Sequence, residues 1–175
     1  FNPGEFPEIP VCTEAVHDTF LFDQGPTRGL GKIQFHDYMA AYNGVDRPNV
    51  NIFKEQSEAL KALLMTAPPS KEQTRDIDFL LCLGELMTLV AYGQLIIEKQ
   101  NMDGRSDDLL EQIFDFMIRD FSKFALQLYS KTSSTEDQMA GCLKMIKKPV
   151  VDEDRFQRVW QNDVLARTDV YEMNP

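Results

Sequence analysis

The sequence predicts an all-α protein, a helical bundle built around a long antiparallel helix hairpin with three or more shorter helices. Three observations carry that expectation. Residues 70–100 and 106–131 each hold a continuous helical pattern, and residues 101–105 between them, which include Gly104, suit a tight turn. On the second helix Leu110, Ile113, Phe114, Met117, Phe121, Phe124, Ala125 and Leu128 recur at three- and four-residue steps, a single apolar stripe for a core. On the first, Glu85 is the only charged residue between Phe79 and Ile97, which predicts a helix lying deep in the bundle.

The elements follow in order from local chemistry. Residues 1–12 open with FNPGEFPEIP, whose three prolines and glycine predict an extended linker, and 13–175 then form a single all-α domain. Thr13 caps a short helix to Phe20, the glycines at 25, 29 and 31 break it, and another short helix lies near 32–42. Asn49 or Asn51 caps a helix running to Met65, which Ala67-Pro68-Pro69 stops. Ser70 with Gln73 forms a capping box that opens the first long helix, about 46 Å to Gln100. Ser106 caps the second, with Asp107 and Asp108 in the first turn where the helix dipole favours negative charge. Ser133-Ser134-Thr135 with Gln138 is a further capping box for a helix to about Lys147. Pro149 interrupts, and Asp152 caps a last helix to about Ala166.

Composition bounds the class of function. With 175 residues, 43% hydrophobic and 26% charged, the chain suits one soluble domain with a sizeable core. Its formal net charge of -10 repels phosphate backbones and anionic lipid, so nucleic acid is not expected as a partner. Cys12, Cys82 and Cys142 are odd in number, far apart in the chain and lack CxxC spacing. No zinc site and no disulfide framework is expected, and a cytoplasmic location fits. The chain opens Phe1-Asn2-Pro3-Gly4 without Met or a secretory pattern, so it is expected to be a piece of a longer polypeptide or a processed product.

Few residues offer chemistry. His17 and His36 sit on different short segments, which excludes a paired Glu-x-x-His di-iron bundle and gives no catalytic triad. GPTRGLGK at 25–32 lacks the order of a phosphate loop. In the hairpin, Asp108, Glu111, Asp115, Arg119 and Lys123 lie opposite the apolar stripe and read as a solvated face, with Asp115 and Arg119 an i,i+4 pair. On the first helix Asp78, Glu85, Thr88, Tyr92 and Lys99 fall on one narrow strip. A lipid-facing helix would not need that strip, so the apolar run predicts a mostly buried soluble helix and no membrane span. Glu85 reads as a solvated or paired edge residue. Gln94 falls on the face of Leu83, Met87, Val90 and Ile97, where its amide is expected to bond a backbone group of another segment. Gly84 and Gly93 predict close approach of another helix or a ligand at their levels. No residue is expected to be catalytic or to bind metal. Gln94, Arg119 and Glu85 are the candidates for any cofactor contact.

Five segments carry a family resemblance: HDTFLFDQ (17–24), FHDY (35–38), TRDIDFLLCLGELMTLVAYGQLIIE (74–98), DLLEQIFDFMIRDFSKFALQLYSKTSST (108–135) and KKPVVDEDRFQRVW (147–160). From about Val16 to Asn174 the chain resembles the C-terminal helical extension of the long bacterial acyl-CoA dehydrogenase-like flavoproteins. That family binds FAD and oxidises acyl-CoA thioesters at the α and β carbons; a glutamate takes the α-proton and the flavin takes the hydride. This chain has neither the family's β-domain pattern nor the glutamate segment, and Tyr171-Glu172 lacks the Gly-Thr that would follow. The resemblance therefore implies an accessory or packing domain, with FAD held by the parent protein and none by this fragment. The implied partners are the remaining domains of the parent enzyme and a second subunit. The alternative, from another class, is an independent helical interaction module without catalysis.

Overall fold

The structure, a computed structural model, describes residues 37–168 and 170. After a 3-10 turn at Tyr38–Tyr42 come α1 (Pro48–Thr66), α2 (Ile77–Asp103), α3 (Asp107–Tyr129), α4 (Glu136–Met145) and α5 (Glu153–Val159). A π turn, Trp160–Val164, and a 3-10 turn, Leu165–Arg167, close the described chain. No strand occurs among the described residues, and the protein is an all-α helical bundle. The linker 1–12 and the helix at 13–20 lie outside the described residues. So does the helix near 32–42, apart from its last turn.

Helix ends follow the chemistry of their caps, and several differ from expectation for a tertiary reason. Pro48, with its fixed φ, starts α1. Neither Asn49 nor Asn51 caps it: Asn49 is already inside the helix and buried, and Asn51 bonds Asp46 at 2.8 Å. The Ser70–Gln73 capping box forms, yet it opens only a 3-10 turn, Gln73–Arg75. Gln73 is drawn into a reciprocal amide pair with Gln138, at 2.8 and 3.0 Å, and also donates to the Ser133 carbonyl. That pins the turn between two loops, and α2 restarts after Asp76, whose carboxylate accepts from the Asp78 and Phe79 N–H groups.

At its far end α2 runs three residues past Gln100, until Gly104 closes it in the left-handed conformation at φ +61°. Ser106, Thr135 and Asp152 cap α3, α4 and α5 as the sequence predicts. α4 ends at Met145, two residues short of Lys147. α5 ends at Val159, and the rest of the expected helix to Ala166 continues as the π and 3-10 turns.

The central helix is α3, and this reverses the sequence expectation. α1, α2, α4 and α5 all pack on it, whereas α2 packs mainly on α3 and on the 38–42 turn. Phe53 of α1 stacks edge-to-face on Phe114 and Phe121 of α3, with ring centroids 5.1 and 5.6 Å apart. Leu110, Met117, Ala125 and Leu128 of the predicted stripe are buried beside them. α2 contributes Phe79, Cys82, Leu83, Leu86 and Ile97 to this core. Its other side is open: Leu81 is 66% exposed, Leu95 58%, Tyr92 56% and Met87 54%. Among the described residues α2 is thus a peripheral helix with a broad apolar face that none of them covers, not a mostly buried one. By length and composition alone it would be long and apolar enough to cross a membrane.

The two glycines of α2 differ. A Cβ at Gly93 would lie 2.5 Å from Cε1 of the Phe53 ring and would overlap the Tyr42 hydroxyl, so this glycine permits close approach as expected. A Cβ at Gly84 would meet nothing within 4 Å, so no close neighbour explains it. Gly141 of α4, unremarked in the sequence, is a close-approach glycine against the Leu63 side chain of α1.

Candidate functional site

The three candidate residues do not converge. Glu85 is exposed on α2, as its strip predicted. Gln94, nine residues on, points to the opposite side of the helix at 100° per residue. It bonds no backbone of another segment among the described residues. It is half-buried and donates to Glu98 Oε1 at 2.8 Å, one turn along its own helix. The inward face of α2 is centred on Phe79, Leu86, Gly93 and Ile97, which leaves Gln94 at its margin with Glu98 in reach. Arg119 belongs to a different place again, where its Nε donates to Asp115 at 2.7 Å.

That place is a buried ionic clamp. Glu111 and Asp115, read from sequence as solvated, are 6% and 1% exposed. They face the segment 146–152, which passes over α3, and Arg155 at the start of α5. The Arg155 guanidinium, itself buried, lies 3.7 Å from Glu111 and 3.5 Å from Asp115, and it donates to the Val150 carbonyl at 3.1 Å. The Glu111 carboxylate also accepts the Asn49 backbone N–H at 3.2 Å, so it caps the N-terminus of α1, where Arg47 supplies no side-chain cap. Asn49 in turn grips Val150 at both ends of its amide: Oδ1 accepts from the Val150 N–H at 2.7 Å and Nδ2 donates to its carbonyl at 3.2 Å.

Two turns further along α1, Gln56 donates to the carbonyls of Met145 and Ile118, and the Lys147 N–H donates to Ser122 Oγ. Arg158 forks onto Asp108 at 2.7 and 2.8 Å, and that hydrogen bonding holds the Asp108 carboxyl below its ordinary range. Every charged group of the clamp answers another within the bundle. The arrangement holds α1, α3 and α5 together and presents no buried, unpaired acid or base to a substrate.

Sequence reasoning missed Arg155, Asn49, Glu111 and Gln112 as a group, because their partners lie 40 or more residues apart in the chain. The signal within reach was Glu111 with Asp115, two acids one turn apart on the polar side of a helix otherwise made for a core.

Hollows adjoin these elements. One of about 350 Å³ lies between α3 and α5, where Asp115, Phe116, Arg119, Val151 and Phe156 line it. Another, about 540 Å³, is a groove between the end of α2 and the start of α3, lined by Tyr92, Leu95, Met102, Leu109 and Ile113. No group of three or more His, Cys, Asp or Glu among the described residues could hold a metal ion, and His17 and His36 lie outside them. Cys82 and Cys142 are free thiols in the core; burial pushes both up, Cys142 to about 11. The Tyr42 hydroxyl is buried beside Gly93 without a hydrogen-bond partner, and burial raises it above the ordinary tyrosine range.

The feature that faces outward is the α2 surface. Ile77, Leu80, Leu81, Met87, Tyr92, Leu95 and Met102 are all 39–73% exposed on one helix, with Glu85, Thr88 and Lys99 among them. Scattered exposed apolar residues are ordinary, but here seven large apolar side chains lie exposed along one 27-residue helix. No protein-family model, curated protein or solved structure matches the chain.

Proposed function

We propose that this chain is a packing domain that works by association, and that the uncovered face of α2 is where it meets another protein surface. One observation carries this: the most apolar helix of the bundle lies at its edge with half of its large side chains exposed, while two acids of α3, Glu111 and Asp115, are turned inward and paired. Its buried charges, Arg155, Glu111 and Asp115, lock its own helices together.

The resemblance of segments 74–98 and 108–135 supplies the parent body: an acyl-CoA dehydrogenase-like flavoenzyme, with FAD and acyl-CoA handled by its other domains. Two measurements test this reading. The purified chain titrated with FAD is expected to bind no flavin, and stoichiometric flavin absorbance on the chain would overturn the accessory role. The coding sequence upstream is expected to encode a β-domain and a flavin-binding helical bundle; an unrelated sequence there would leave an independent interaction module in its place.

A further inference from the structure

We infer that the surface covering α2 is a second copy of this chain, docked antiparallel across the same helix about a two-fold axis at Tyr92. This names the partner of the docking face proposed above and rests on that reading. The inference comes from the order of residues along the exposed face. Leu81, Glu85, Thr88, Tyr92, Leu95, Lys99 and Met102 follow one another at alternating steps of four and three, which keeps all seven within about 60° of one line on the helix. All seven are exposed.

The series is complementary to its own reverse. An antiparallel copy centred on Tyr92 sets Leu81 against Met102, Thr88 against Leu95 and Tyr92 against its own counterpart. At the same time it sets Glu85 against Lys99 twice, once on each side of the axis. A self-complementary patch in which residue i meets j and j meets i is what a two-fold interface requires. Here apolar residues meet apolar or neutral ones, and the acid meets the base. The register also brings Leu81 of the second copy to the mouth of the groove that Leu95 and Met102 line.

Scale sets the expected strength. α2 is about 40 Å long and about 10 Å wide, so it covers roughly 400 Å² per copy, about half of the ~800 Å² typical of a stable interface. Micromolar association follows, not a permanent dimer. The net charge of -10 on each copy opposes the encounter, but at physiological salt it is screened beyond about 8 Å while the two contact pairs persist.

The test is sedimentation velocity of the full chain at physiological salt, from about 1 μM to about 500 μM. The expected result is a concentration-dependent monomer–dimer equilibrium. Glu85→Lys alone or Lys99→Glu alone places like charges together on both sides of the axis, and each should weaken association about tenfold or more. Mixing the two single variants should restore the dimer, because that heterodimer again has opposite charges at both positions; the double variant Glu85→Lys, Lys99→Glu should restore it too. Both side chains are exposed, and unchanged circular dichroism checks that the variants fold. A chain that stays monomeric throughout, a dimer indifferent to both single variants, or a mixture that fails to recover each overturns the inference. Flavin retention by the chain, measured separately, overturns the packing role without bearing on self-association.

Discussion

Replacing Arg155 by methionine removes the guanidinium from between Glu111 and Asp115 and leaves both carboxylates 6% exposed or less. Removing one partner of a buried ion pair costs about 3–5 kcal/mol, because the remaining charge stays desolvated without compensation. Two features of this clamp place the expected loss at the lower end. The pairs are long, 3.5 and 3.7 Å, and each acid keeps another partner, Arg119 for Asp115 and the Asn49 N–H for Glu111. The loss of the Arg155 hydrogen bond to Val150 adds to it. A destabilisation of about 3 kcal/mol is expected, equivalent to a Tm drop of roughly 6–12 °C for a domain of this size. Urea denaturation followed by circular dichroism at pH 7 would measure it as a lower midpoint at unchanged slope. Adding Glu111→Gln and Asp115→Asn to Arg155→Met keeps the acceptors and removes the stranded charges, and should recover at least half of the loss. A single variant within about 1 kcal/mol of the parent, or no recovery in the triple, would refute the view that the charges of α3 are compensated mainly by Arg155.

Two further outcomes follow from the same packing. Gly93→Ala drives a methyl into Phe53 and Tyr42 and should cost about 1–2 kcal/mol net, whereas Gly84→Ala, with open space around it, should gain up to about 1 kcal/mol from helix propensity; thermal melts of the two would exclude the packing described if their order were reversed. Stability should fall as pH rises from about 9 toward 11, because the unfolded chain releases the Cys142 proton near 9.0 while the folded chain, with that thiol buried, holds it to about 11. The slope from this group approaches about 1.4 kcal/mol per pH unit and should be missing in Cys142→Ala; equal slopes in the two proteins would count against a sealed thiol.

Local chemistry in the sequence determined most of the helix map. Ser106, Thr135 and Asp152 cap where their side chains can reach an N–H three residues on, and Gly104 ends a helix because it alone accepts a positive φ cheaply. The apolar stripe of α3 also named its core residues, since the 3.6-residue period is a property of the chain itself. These are interactions within one turn, and a linear sequence contains both partners.

What the sequence could not decide was which helix stands at the centre. α2 looked central because it is apolar nearly all round, and α3 looked half-solvated because its charged residues lie opposite the apolar stripe. The fold inverts this, since Asn49, Arg155 and the segment 146–152 arrive from distant positions to pair Glu111 and Asp115, which makes a charged face burial-competent. Gln73 likewise abandons a helix start for Gln138, 65 residues away. Gln94 needs no distant partner, because Glu98 lies one turn along the same helix.

The candidate site shows the same division. Periodicity put Glu85, Thr88, Tyr92 and Lys99 on one strip. Only the tertiary arrangement showed that this strip is the middle of an uncovered face, because exposure depends on which neighbours pack against a helix and a sequence holds only the helix's own half of that contact.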